Sequence, residues 1–110
     1  MTRVTFYQNR NGQLTGFEAA DHAGYAEAGE DIVCAAVSAL VIHTINSVER
    51  FTSQDADSSA DEENAVIHFS LKGEISHDAE LLLKSLAQTL SDMQEEDAYK
   101  DFVDVNFMEV

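Results

Sequence analysis

The sequence predicts an α+β fold of two layers: a four-stranded mixed or antiparallel sheet with two helices packed on one face, in the order β-β-α-β-α-β. Three observations predict it. Short apolar stretches near both ends and in the middle read as strands, and two longer stretches repeat apolar residues at three- and four-residue spacing. The chain of 110 residues has no internal repeat and no linker, which suits a single domain over 1–110.

The elements follow in order. Residues 2–9, TRVTFYQN, carry Val4, Phe6 and Tyr7 in a strand-like setting. Asn11-Gly12 follows, a hairpin signal because both residue types tolerate positive φ, and LTGFEAA at 14–20 returns as the second strand. From Asp31 to about Arg50, Val33, Val37, Leu40, Val41, Thr44, Ile45 and Val48 recur at helical spacing. That segment is apolar almost all round, which predicts a helix buried at the centre.

SQDADSSADEEN, 53–64, reads as a solvated acidic loop. Its DADSS start has the look of a calcium loop, but Ala60 stands where glycine is required and Val66 where the closing glutamate belongs. AVIHFSLKG, 65–73, alternates Ile67, Phe69 and Leu71 on one face of a strand. A second helix starts near Ser76, a suitable N-cap, with Asp78 and Glu80 in its first turn, where negative charge is favoured. Leu82, Leu83, Leu86, Leu90 and Met93 form its apolar stripe. EEDAYKD then places acids towards its C-terminal end, where the helix dipole opposes them. Val103, Val105 and Phe107 alternate in a last strand. No proline is present, so glycine, Asn and Asp must shape the loops.

Charge narrows the function classes. With 21 acids against 6 Lys and Arg, the net charge is −15. Proteins that bind nucleic acid displace counterions with Lys and Arg, so direct binding of RNA or DNA is disfavoured. The same field repels an anionic membrane surface and attracts a basic protein or peptide. The N-terminal residues lack the apolar run of a signal peptide, and no segment is expected to provide the roughly 18–20 apolar residues of a membrane span. One cysteine allows no internal disulfide. A cytoplasmic protein is expected. The four histidines are scattered, with no HExxH and no paired cysteines, so neither metal nor cofactor is expected.

The chemistry that remains centres on Cys34. A thiolate nucleophile needs a pKa below the resting value of about 8.5. If Asp31 caps the helix, Cys34 falls in the first turn, where free N–H groups and the positive end of the dipole favour an anion. Those N–H groups would also receive the negative oxygen of a tetrahedral intermediate. His22 lies twelve residues earlier, across a turn that contains Gly24 and Gly29 and can bend it back towards the helix start. Asp31, Cys34 and Ser38 are three and four apart and share one helical face. From residue types alone a buried, inert cysteine is the ordinary reading, because free cysteine is among the most buried residues and CAAVSAL reads well as helix packing.

The stretch HAGYAEAGEDIVCAAVSALV, 22–41, resembles the signature of the ribosomal-processing cysteine proteases called Prp, and length and element order extend the resemblance over the chain. It reverses the inert reading of Cys34. The resemblance implies an intracellular endopeptidase, typically homodimeric, that removes a short N-terminal extension from a large-subunit ribosomal protein (number 27 of that series). It implies His22 as the catalytic histidine and Cys34 as the nucleophile, with Asp31 and Ser38 near the site. One position departs: the family usually has Gly before the histidine, and here Asp21 adds a charge beside His22. Asp21 and Asp31 are the candidates for a third catalytic member. The competing reading is an acidic, non-catalytic partner of a basic ribosomal protein. A thiol redox sensor is a third, weakened by the lack of a second cysteine to resolve the oxidised product.

Overall fold

Among the residues described in the computed structural model, 1–20 and 28–110 with the side chains of 28–31 excepted, the sheet has five strands and not four. The elements are β1 (Thr2–Gln8), β2 (Leu14–Ala20), α1 (Ala28–Phe51), β3 (Ala56–Asp61), β4 (Val66–Leu71), α2 (His77–Glu95) and β5 (Val103–Glu109). The strand order is β3-β4-β2-β1-β5. β1 runs parallel to β5, and the other pairs are antiparallel. The α+β class and the order of the predicted elements hold, with β3 as the addition.

β3 lies inside the acidic stretch expected to be a loop. It is an edge strand, paired only to β4 in the register Ser58↔Phe69 and Ala60↔Ile67, and every residue after Ala56 is exposed. A strand bonded on one side and solvated needs no alternating apolar residues, so its sequence carries no strand signal. Its acids also guard the open edge against pairing with other chains. Asp61 closes the hairpin to β4 by accepting from the Asn64 backbone N–H at 3.2 Å and from Asn64 Nδ2 at 2.7 Å. Ala65 completes the turn at φ 53°.

The first hairpin also forms, though by another device than the Asn11-Gly12 pair alone. Only Gly12 takes a left-handed conformation, at φ 78°. Asn9 organises the turn: its backbone carbonyl accepts from the Gly12 N–H, and its side-chain oxygen accepts from the N–H groups of Asn11 and Gln13. In the middle of β2, Gly16 is required by crowding, because a Cβ there would overlap the carbonyl oxygen of Phe69.

The inner face of the sheet holds the core. Phe69, Phe17 and Phe6 are buried there in register across β4, β2 and β1, and the half-exposed Phe107 of β5 extends the row, with ring centroids 5.5, 5.7 and 5.6 Å apart. Each such contact adds about 0.5–1.5 kcal/mol beyond the area it buries. α2 follows its sequence closely. Ser76 is the N-cap and accepts from the Ala79 N–H at 3.1 Å, while Ala79, Leu83, Leu86, Ala87 and Leu90 are buried. The helix stops at Glu95, so Asp97 and Asp101 fall beyond it. That placement removes part of the expected conflict with the dipole.

α1 departs from expectation in two ways. It begins at Ala28, three residues before Asp31. It is also not buried all round: Val33, Val37, Val41, Thr44 and Val48 face the core, but Ile32 is 70% exposed, Ile42 48% and Phe51 79%. In a two-layer fold a helix lies on one sheet and beside one neighbour, so an outward side remains whatever its composition. By length and composition Ile32–Phe51 could cross a membrane, contrary to expectation, yet its valine side is built into the core of this domain.

Candidate active site

Two elements bring the site together. Thr2 opens β1; its backbone N–H donates to the Phe102 carbonyl at 2.8 Å, and it sits opposite Val103 in the parallel β1/β5 pair. Cys34 is on the core side of α1, where it is 8% exposed. The Thr2 hydroxyl donates to Cys34 Sγ at 2.8 Å, joining residues 32 positions apart.

Beside this contact is a cleft of about 230 Å³ between α1 and the β3–β4 side of the sheet. Thr2 forms one wall, Ala19, Val37, Val41 and Ile67 supply apolar surface, and Ser38 contributes a hydroxyl one turn after Cys34. Asp61 and Glu62, from the β3–β4 hairpin, give the cleft an acidic rim. The hydrogen bonds from Asn64 hold the Asp61 carboxyl below the usual carboxylate range. A second cleft, of about 280 Å³, lies at the other end of β1 between Gln8, Gly12 and α2, among residues that include no thiol.

The residues expected at the site fall into two groups. Cys34 and Ser38 share the face of α1 that meets the cleft and Thr2. Asp31 belongs to α1 with its side chain outside the described residues, and His22, Asp21 and Gly24 lie outside them altogether. The other three histidines are placed away from the thiol. His43 is nine residues along α1, about half a turn round from Cys34, and exposed. His68 points to the outer face of the sheet, where it approaches Glu18 at 3.9 Å. His77 is exposed beside Asp78 at the start of α2.

The helix start is a correction to the expected chemistry. With α1 beginning at Ala28, Cys34 is its seventh residue and not part of the first turn. Its own amide is committed to the helix ladder, and the free N–H groups lie about one turn or more towards the N-terminus. Among the described residues, a side chain of β1, the Thr2 hydroxyl, donates to the sulfur. Thr2 was not legible as a site residue, because nothing local links it to Cys34. The rim acids were hidden for a related reason, since they read as ordinary solvated loop.

A small α+β domain thus holds its one thiol on a helix beside a cleft, where a nucleophilic cysteine could meet a bound substrate. The family model for the cysteine protease Prp matches residues 1–104, and the chain belongs to that family of cysteine proteases. A ribosomal processing cysteine protease Prp from Bacillus subtilis (strain 168) is 29% identical over 105 residues, covering 92% of each chain. Two crystal structures of the essential ribosomal processing protease Prp from S. aureus are similar over 98% of this chain and 100% of theirs. One, in complex with a covalently linked product peptide, is 28% identical with a TM-score of 0.85. The other, in complex with a substrate peptide, is 27% identical with a TM-score of 0.89. Among the described residues, no group of three or more His, Cys, Asp or Glu is placed to hold a metal ion.

Proposed function

We propose that this protein is an endopeptidase that removes the N-terminal extension of a large-subunit ribosomal protein, number 27 of that series, during ribosome assembly in the cytoplasm. The observation that carries the reading is Cys34: the only thiol of a cysteine-protease-family chain, held against Thr2 beside a cleft. The acidic rim at Asp61 and Glu62 and the net charge of −15 favour a basic target. His22 is taken as the base on its place in the family signature, and the exposed positions of His43, His68 and His77 support that reading.

In the proposed reaction His22 takes the Cys34 proton, and the sulfur attacks the scissile carbonyl carbon. His22 then protonates the leaving amine as the tetrahedral intermediate collapses to a thioester. Water hydrolyses the thioester and returns the thiol. Asp21 and Asp31 are the candidates to orient the imidazole, and Ser38 and Gly24 to contact substrate. A homodimer is part of the reading. Its support is the outward stripe of α1, where Ile32, Ala35, Ala36, Ala39 and Ile42 are exposed on one side.

The test incubates the protein, Cys34→Ala and His22→Ala with the extended ribosomal protein and weighs the products. One cut near the substrate's N-terminus by the unaltered protein, with loss of at least about a thousandfold in both variants, is expected for members of a nucleophile–base pair. Binding without cleavage by all three proteins would replace the protease with an acidic, non-catalytic partner.

A further inference from the structure

We propose that Thr2 is a positioning residue for the nucleophile, its hydroxyl fixing Cys34 Sγ and stabilising the thiolate. The proposal rests on the reading of Cys34 as the nucleophile. Thr2 is held from several directions. Its backbone is locked by the parallel pairing with Val103 and by the bond to Phe102, and the residue is 2% exposed, so bulk water does not compete for its hydroxyl. Its β-branched side chain is stiff at χ1, which keeps the donor aimed. From this fixed point the hydroxyl reaches Cys34 Sγ at 2.8 Å.

A neutral O–H donor bonds more strongly to an anion than to a neutral acceptor, so the contact favours the thiolate over the thiol. Cys34 is the seventh residue of α1, beyond the first turn in which the free N–H groups are concentrated. A net charge of −15 also opposes one more buried anion. Thr2 keeps its own proton throughout, and the proton that leaves Cys34 goes to the base. Because Thr2 also walls the cleft, one residue sets the sulfur's position relative to bound substrate.

The experiment measures the rate of Cys34 alkylation by iodoacetamide against pH, with kcat and KM for a peptide spanning the cleavage site. Thr2→Val keeps the shape and removes the hydroxyl, whereas Thr2→Ser keeps the hydroxyl and removes the methyl. Thr2→Val is expected to raise the midpoint of alkylation by about one pH unit and to lower kcat about tenfold with KM little changed, while Thr2→Ser stays near the unaltered protein. An unchanged midpoint in Thr2→Val would overturn the proposal. So would an equal loss in Thr2→Ser, which would mean that shape and not the hydroxyl matters. If Thr2→Val loses its thermal transition, the comparison of Thr2→Ser with Thr2→Ala carries the same decision. Failure of the underlying reading looks different: the unaltered folded protein would then resist alkylation at every pH where it stays folded.

Discussion

The two helices solve opposite problems. α2 follows folding rules in most features: a Ser76 cap, acids in its first turn, a buried stripe ending in Leu90 and an outer side that is polar except for Leu81. α1 breaks the same pattern. It exposes Ile32, Ile42 and Phe51, and on its other side it buries a thiol bonded to the first residue of β1. Residues that lower solubility or bury a reactive group are retained when they serve a purpose beyond folding. In the proposed reaction the helix that fits folding rules less well is the one that carries the nucleophile.

The comparison can be broken first at α2. Leu90→Ala removes a fully buried side chain from the core and is expected to cost about 2–5 kcal/mol, measured by urea unfolding. A loss below about 1 kcal/mol would mean that α2 is not the structural half of the pair. Next in size is α1's outward stripe. Ile42→Glu should change the stability of the folded chain by only about 0.5 kcal/mol, as exposed positions do, yet convert the proposed dimer to monomer in light scattering. An unaltered protein that is already monomeric would remove the dimer from the reading and leave the stripe unexplained.

The smallest effect sharpens the cleft rim. Asn64 donates to Asp61 and holds its carboxyl below the usual range, so Asn64→Ala should let that pKa rise towards the ordinary value in an NMR titration. The sign follows from linkage. A depressed folded pKa adds stability above the unfolded value, and that addition is lost as pH falls through the folded one. In Asn64→Ala this part of the acid sensitivity should shrink, because the backbone N–H groups of residue 64 and Glu63 still donate to Asp61. No change in the titration would mean that the Asp61–Asn64 contact does not persist in solution.

Legibility in the sequence followed how local each signal was. Ser76 and the leucines of α2 were readable because a cap and a 3.6-residue period act within a few residues. Cys34 and Ser38 could be put on one face of a helix for the same reason. The start of α1 was misplaced because Ala28, Gly29 and Glu30 carry no apolar period to announce a helix. β3 was missed because its solvated edge asks nothing apolar of ADSSAD. Its strand character comes from the neighbour it pairs with.

The sequence by itself determined the α+β class, the helical placement of the thiol, and the family signature around it. Each of these rests on spacing along the chain, where a few neighbouring residues suffice. Only the tertiary structure decided that an acidic segment would become the fifth strand and put Asp61 and Glu62 at a cleft. It also decided that Thr2 would meet Cys34 across 32 residues. Contacts of that kind form when strand register and helix packing bring distant positions together, and no local pattern of residues encodes them.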